Sequence, residues 1–208
     1  MIVVLMTSRS GSSMVCRVLA EHGLLWKDGQ NDPVQIGHGV ENASYKTYEH
    51  PGWKKCMKSL VSDNNPKWPL GEMLEPTPMR INKLLAYYIN QPQIDFVKVG
   101  VEFAQCWQEF AAHTGKSVDF IKVYRPPEDI AESLERRHIG SYALGYKVAV
   151  KRLKLMEGLP GEFVATNLLV GTGEDQALSG IYEALRDCKI EVDYGAVIRA
   201  IEPEKFHG

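Results

Sequence analysis

The sequence predicts an α/β protein, a three-layer α/β/α arrangement around a central, mainly parallel sheet, and three observations carry that expectation. The opening run Ile2, Val3, Val4, Leu5, Met6 is apolar at successive positions, as a strand covered on both faces requires. Runs of the same character recur at Phe96–Val99, Val118–Tyr124 and Phe163–Ala165. Apolar residues at helical spacing stand between them, and strands that alternate with helices pair in parallel.

After Met6, the stretch Thr7-Ser8-Arg9-Ser10-Gly11-Ser12-Ser13 contains no large apolar side chain, and Met14, Val15, Val18 and Leu19 then resume at helical spacing. The turn therefore sits at a helix N-terminus, where unpaired N–H groups and the macrodipole favour an anion. Gly11 lets the backbone approach a ligand, Ser12 and Ser13 add hydroxyls, and Arg9 supplies charge. The Gly-x-x-x-x-Gly-Lys-Ser/Thr spacing of a triphosphate loop is absent, which counts against a nucleotide or small-molecule kinase. His22-Gly23 is the expected stop of this helix.

Leu24 to Pro78 is punctuated repeatedly by proline and glycine and reads as irregular, and loops of that length in a compact domain are usually functional. It is the expected ligand-binding region and lid, about residues 24–78 of a single domain spanning 1–208. Trp26, Tyr45, Tyr48, Trp53 and Trp68 suit either a pocket lining or a satellite core, and His38, Glu41, Glu49 and His50 are its titratable candidates.

Ile81, Leu84, Leu85, Tyr88 and Ile89 predict a helix ending near Asn90. A short strand over Phe96–Val99 turns at Gly100 into a helix carrying Phe103, Trp107 and Phe110 and closing near Gly115. The strand Val118–Tyr124 delivers Arg125 to the crevice beyond the sheet's carboxyl edge, and Pro126 or Pro127 starts the next helix. Ser141 to Met156 is expected to be helical, with Lys147, Lys151, Arg152 and Lys154 on a solvated face. Phe163-Val164-Ala165 and the helical face of Ala177, Ile181 and Leu185 close the pattern.

With 208 residues, the chain suffices for one substantial core, and 44% hydrophobic with 24% charged residues is an ordinary globular balance. A formal charge of −2 exerts no global pull on nucleic acid or an anionic membrane, and neither is an expected partner. Cys16, Cys56, Cys106 and Cys188 lack zinc spacing and read as reduced packing thiols. A strand beginning at Ile2, with no apolar run of membrane-spanning length, leads to the expectation of a cytoplasmic protein.

The stretch Thr7 to Ser13 resembles the 5′-phosphosulfate loop of sulfotransferases that use 3′-phosphoadenosine 5′-phosphosulfate (PAPS). Ile121 to Ser133 is similar to that family's 3′-phosphate motif, in which an Arg ends a strand and a Ser follows eight residues later; Arg125 and Ser133 match type and spacing. The resemblance implies a P-loop-like sulfotransferase architecture and transfer of a sulfuryl group to a hydroxyl or amine of a small-molecule or carbohydrate acceptor, with no metal. It implies a donor site made of Ser8, Arg9, Ser10, Gly11, Ser12, Ser13, Arg125 and Ser133, with Arg9 stabilising charge on the bridging oxygen. In the family, the strand after the lid region delivers a base or an activating Lys, and Lys98 and Glu102 occupy that neighbourhood; Glu102 leads as base. The chain has neither the Lys-Thr-His segment of cytosolic members nor an Arg-Lys-Gly stretch near its C-terminus, which leaves the base and the adenosine contacts open. A member that binds the bisphosphate without chemistry is the other reading.

Overall fold

Five apolar residues in a row need cover on both sides, and β1 (Ile2–Met6) finds it as an interior strand. The computed structural model describes residues 1–7, 10–26, 34–37, 44–47, 51–61, 71–90, 94–138, 140–166 and 174–201. After β1 come α1 (Ser12–Glu21), a hairpin of β2 (Val34–Gly37) and β3 (Ser44–Thr47), α2 (Pro51–Val61) and α3 (Pro78–Ile89). Next are β4 (Phe96–Gly100), a 3-10 turn at Val101–Phe103, α4 (Ala104–Thr114), β5 (Asp119–Tyr124) and α5 (Pro127–Arg136). The chain continues through α6 (Tyr142–Glu157), β6 (Glu162–Ala165), α7 (Glu174–Asp187) and α8 (Tyr194–Ile201).

Among the described residues the central sheet has four parallel strands in the order β4-β1-β5-β6. Ile2 is in register with Phe96 on one side and Asp119 on the other, and Tyr124 with Ala165. Side chains alternate across a strand, so β1 divides its own between two cores. Val3 and Leu5 join Val97, Val99 and Phe120 with residues of α2, α3, α4 and α6, whereas Ile2 and Val4 join Phe96, Ile121 and Val123 with residues of α1, α7 and α8. The result is the expected three-layer α/β/α fold. All four strands end at one edge, and the chain passes from β1 to β4 in one direction and back across β1 to β5 in the other. Such a reversal leaves a crevice outside the carboxyl ends of the strands.

Local signals set the helix ends. Thr77 Oγ1 accepts from Arg80 N (3.4 Å) with Pro78 opening α3, and Ser141 Oγ accepts from Leu144 N (3.4 Å) at the start of α6. Pro127 opens α5, and α1 ends at His22.

The 24–78 region differs from its reading as irregular chain. It contains the β2–β3 hairpin and the whole of α2, and Pro51 and Pro78 begin helices rather than interrupt a loop. Trp26 is 1% exposed and packs in the core beneath α1. His38, Glu41, Glu49, His50, Tyr48 and Trp68 lie outside the described residues, as do the side chains of Tyr45 and Trp53. Helix α8 is an element that the helical spacing around Ala177 to Leu185 did not include; its Val197, Ala200 and Ile201 pack with α1 in the second core.

Candidate functional site

The loop between β1 and α1 lies at the carboxyl edge, with β4 and β5 on either side of it. Ser8 and Arg9 are outside the described residues. Gly11 adopts φ +80°, the left-handed region that favours glycine, and stands at the N-cap of α1 without a side-chain cap for the first-turn N–H groups. A second reason requires glycine: a Cβ there would lie 2.7 Å from Thr166 Oγ1 and 2.8 Å from Thr166 Cβ. The loop is thus seated directly against the residue that follows β6.

Its hydroxyls divide into two groups. Ser12 Oγ donates to Met6 Sδ (3.3 Å), and Ser13 Oγ accepts from Lys98 Nζ (3.2 Å). Thr7 Oγ1 and Ser10 Oγ are buried and have no hydrogen-bond partner. Buried hydroxyls are ordinarily satisfied, and two orphans beside an uncapped helix N-terminus are what a bound anion would complete.

Lys98 brings a cation to this loop from β4. It is paired in register with Val4 and, like Phe96 two residues earlier, projects toward the α1 side, where only 4% of the residue is exposed. A lysine in an otherwise apolar strand costs free energy in desolvation, which its hydrogen bond to Ser13 helps to offset. Lys122, on β5, faces the other way: its Nζ donates to Leu159 O (2.9 Å) and lies 4.2 Å from the Phe163 ring centroid. Burial holds its ammonium below the usual lysine range against the opposing effect of Glu162.

Beyond β5, Arg125 stands at the carboxyl edge with its side chain one-third exposed, and its Nε pairs with Asp129 Oδ2 at 3.6 Å. Pro126 is extended and Pro127 begins α5, which carries Ser133 on its buried side together with Ile130 and Ala131. The first turn of α5 already holds Glu128 and Asp129, acidic residues that suit its dipole.

Thr166 joins these two halves. Its Oγ1 donates to Ser10 O (2.5 Å) and lies 3.2 Å from Tyr124 O, the carbonyl preceding Arg125. Nothing in the sequence singles out this threonine, since a lone Thr after a strand carries no spacing signal.

Glu102 takes a different position from the other candidates. Its side chain is fully buried in the 3-10 turn after β4, and Oε1 accepts from Arg152 Nε (2.6 Å) and from Gly71 N (3.0 Å). Oε2 is buried without a hydrogen-bond partner, and the backbone carbonyl of Glu102 accepts from Leu74 N (2.7 Å). The carboxylate is directed to α6, whose apolar residues lie in the core on the sheet face opposite α1. Its visible work is to clasp the segment after residue 70 to the end of β4. Arg152 accordingly departs from the expected solvated face of α6, which exposed Lys147, Lys151 and Lys154 do occupy.

Comparison with protein-family models, with curated proteins and with solved structures finds no match to this chain. Among the described residues no helix is long and apolar enough to cross a membrane.

Proposed function

We propose that this chain binds PAPS along the carboxyl edge of its sheet and transfers the sulfuryl group to a hydroxyl or amine of a small-molecule or carbohydrate acceptor. The observation that carries the reading is the cradle itself: an uncapped helix N-terminus, the buried ammonium of Lys98 at Ser13, and two unsatisfied buried hydroxyls in one loop. In this reading Ser8, Arg9, Ser10, Gly11, Ser12 and Ser13 hold the 5′-phosphosulfate, and Arg125 with Ser133 holds the 3′-phosphate. The acceptor oxygen or nitrogen forms a bond to sulfur as the bond from sulfur to the bridging oxygen breaks; the acceptor's proton goes to a base, and the bisphosphate departs with the bridging oxygen. Charge accumulates on that oxygen, where Arg9, Lys98 and the N–H groups of α1 would stabilise it without a metal.

A second reading is favoured by one specific observation. Glu102, the leading base, spends its carboxylate on Arg152 and Gly71. A protein that holds the bisphosphate without chemistry needs no base, and the same cradle serves it.

Calorimetric titration with 3′-phosphoadenosine 5′-phosphate (PAP) against 5′-AMP, repeated on Arg125→Ala and Ser133→Ala, tests the donor site. Preference for PAP that collapses in both variants is expected; equal affinity for the two nucleotides would refute it. Labelled sulfate transfer from PAPS across hydroxyl and amine acceptors then separates the two readings, since the binding-only protein yields no product.

A further inference from the structure

We infer that Thr166 is a positioning residue that fixes the distance between the two phosphate subsites, an inference that rests on the PAPS-site reading above. Three contacts converge on its side chain. Oγ1 donates to Ser10 O inside the loop at 2.5 Å and stands 3.2 Å from Tyr124 O, the carbonyl that precedes Arg125. Its carbon atoms cover Gly11, where an added Cβ would come within 2.8 Å of Thr166 Cβ and 3.1 Å of Cγ2. A hydroxyl has one proton to give, so the two carbonyls share it and are drawn toward the same point. Ser10 belongs to the 5′ cradle and Tyr124 to the strand end that aims the 3′-phosphate cation. One buried side chain, 9% exposed, therefore sets the span between them.

A ligand with a phosphate at each end of that span should feel the constraint, whereas a ligand with one phosphate should not. Fixing the span in advance raises affinity by sparing the ordering that binding would otherwise require. The test compares wild type with Thr166→Val, which keeps the shape over Gly11 and removes the hydroxyl, and with Thr166→Ser, which keeps the hydroxyl. PAP binding is expected to weaken about tenfold in Thr166→Val, the size of one lost buried hydrogen bond, while 5′-AMP weakens by less than about twofold. Thr166→Ser should restore the PAP affinity. Equal weakening of both nucleotides, or no change in either, would overturn the inference. Hydrogen exchange without ligand provides the second arm: peptides spanning the loop and the end of β5 should both exchange faster in Thr166→Val and return to wild-type rates in Thr166→Ser. Unchanged exchange in either peptide would overturn the link itself. Wild type that fails to prefer PAP defeats the PAPS reading instead, and the exchange arm still decides whether Thr166 ties the two segments.

Discussion

Removing the Glu102 carboxylate should be among the most damaging single changes available to this protein. Glu102 is 0% and Arg152 7% exposed at the side chain, and they meet at 2.6 Å, so Glu102→Ala takes a carboxylate away from a guanidinium held in the interior. Breaking a buried pair from one side costs about 3–5 kcal/mol. For a chain of this size each kcal/mol lowers Tm by about 2–4 °C, so the expected drop is on the order of 10 °C. The pair is coupled, and the Glu102→Ala/Arg152→Ala double variant should be more stable than the sum of the singles implies by about 1–3 kcal/mol. Urea denaturation of the four proteins measures the cycle. Hydrogen exchange adds a local readout, because Gly71 N donates to the carboxylate and should lose protection in Glu102→Ala, whereas Leu74 N donates to the backbone carbonyl that alanine retains. Strict additivity of the two singles, or a cost below about 1 kcal/mol for Glu102→Ala, would refute the account, since that is what an exposed pair delivers.

Three further outcomes are expected. Gly11→Ala places a Cβ in the left-handed region and against Thr166; it should lose about 1–2 kcal/mol from the backbone alone and abolish PAP binding in calorimetry. Lys98→Met removes the donor to Ser13 Oγ and should weaken PAP by about 10–100-fold through a lost charged hydrogen bond. Unchanged PAP affinity in calorimetry would identify Lys98 as merely structural. Burial pushes the Cys56 and Cys106 thiols up to about 11 and Cys188 to about 12 from a usual 9.0, so the native protein should react slowly with a thiol reagent at pH 8 and fully once unfolded. The unfolded chain loses these protons first as pH rises past 9.0, and stability should decline from there through about pH 12; a rise in urea midpoint over that window would contradict it.

The parallel strands were legible because burial on both faces demands unbroken apolar runs, and few other elements produce them. Helix starts at Pro127 and Ser141 were legible because proline and serine have specific places there. The same punctuation misled at Pro51 and Pro78, where proline opened helices but read as interruption. Arg152 looked like one of four solvated cations; only its spacing with the buried Ala149 and Met156 places it on the inner side of α6. Gly11, Arg125 and Ser133 stand out through residue type and spacing. Thr166 does not, since its role comes from two backbone carbonyls that are 156 and 42 residues away in sequence. Long-range backbone geometry of this kind leaves no local trace.

The central place of β1 bears on how the chain is made. Both of its neighbours, Phe96–Gly100 and Asp119–Tyr124, emerge from the ribosome long after it. At about 5–20 residues per second, Ile2–Met6 waits on the order of 5–20 s for a first partner strand. Until then five consecutive apolar residues and the two edges that β4 and β5 later cover form an adhesive segment. β1 enters the sheet only when a loop of more than ninety residues closes, so early synthesis is the stage at which this strand is most open to wrong pairing.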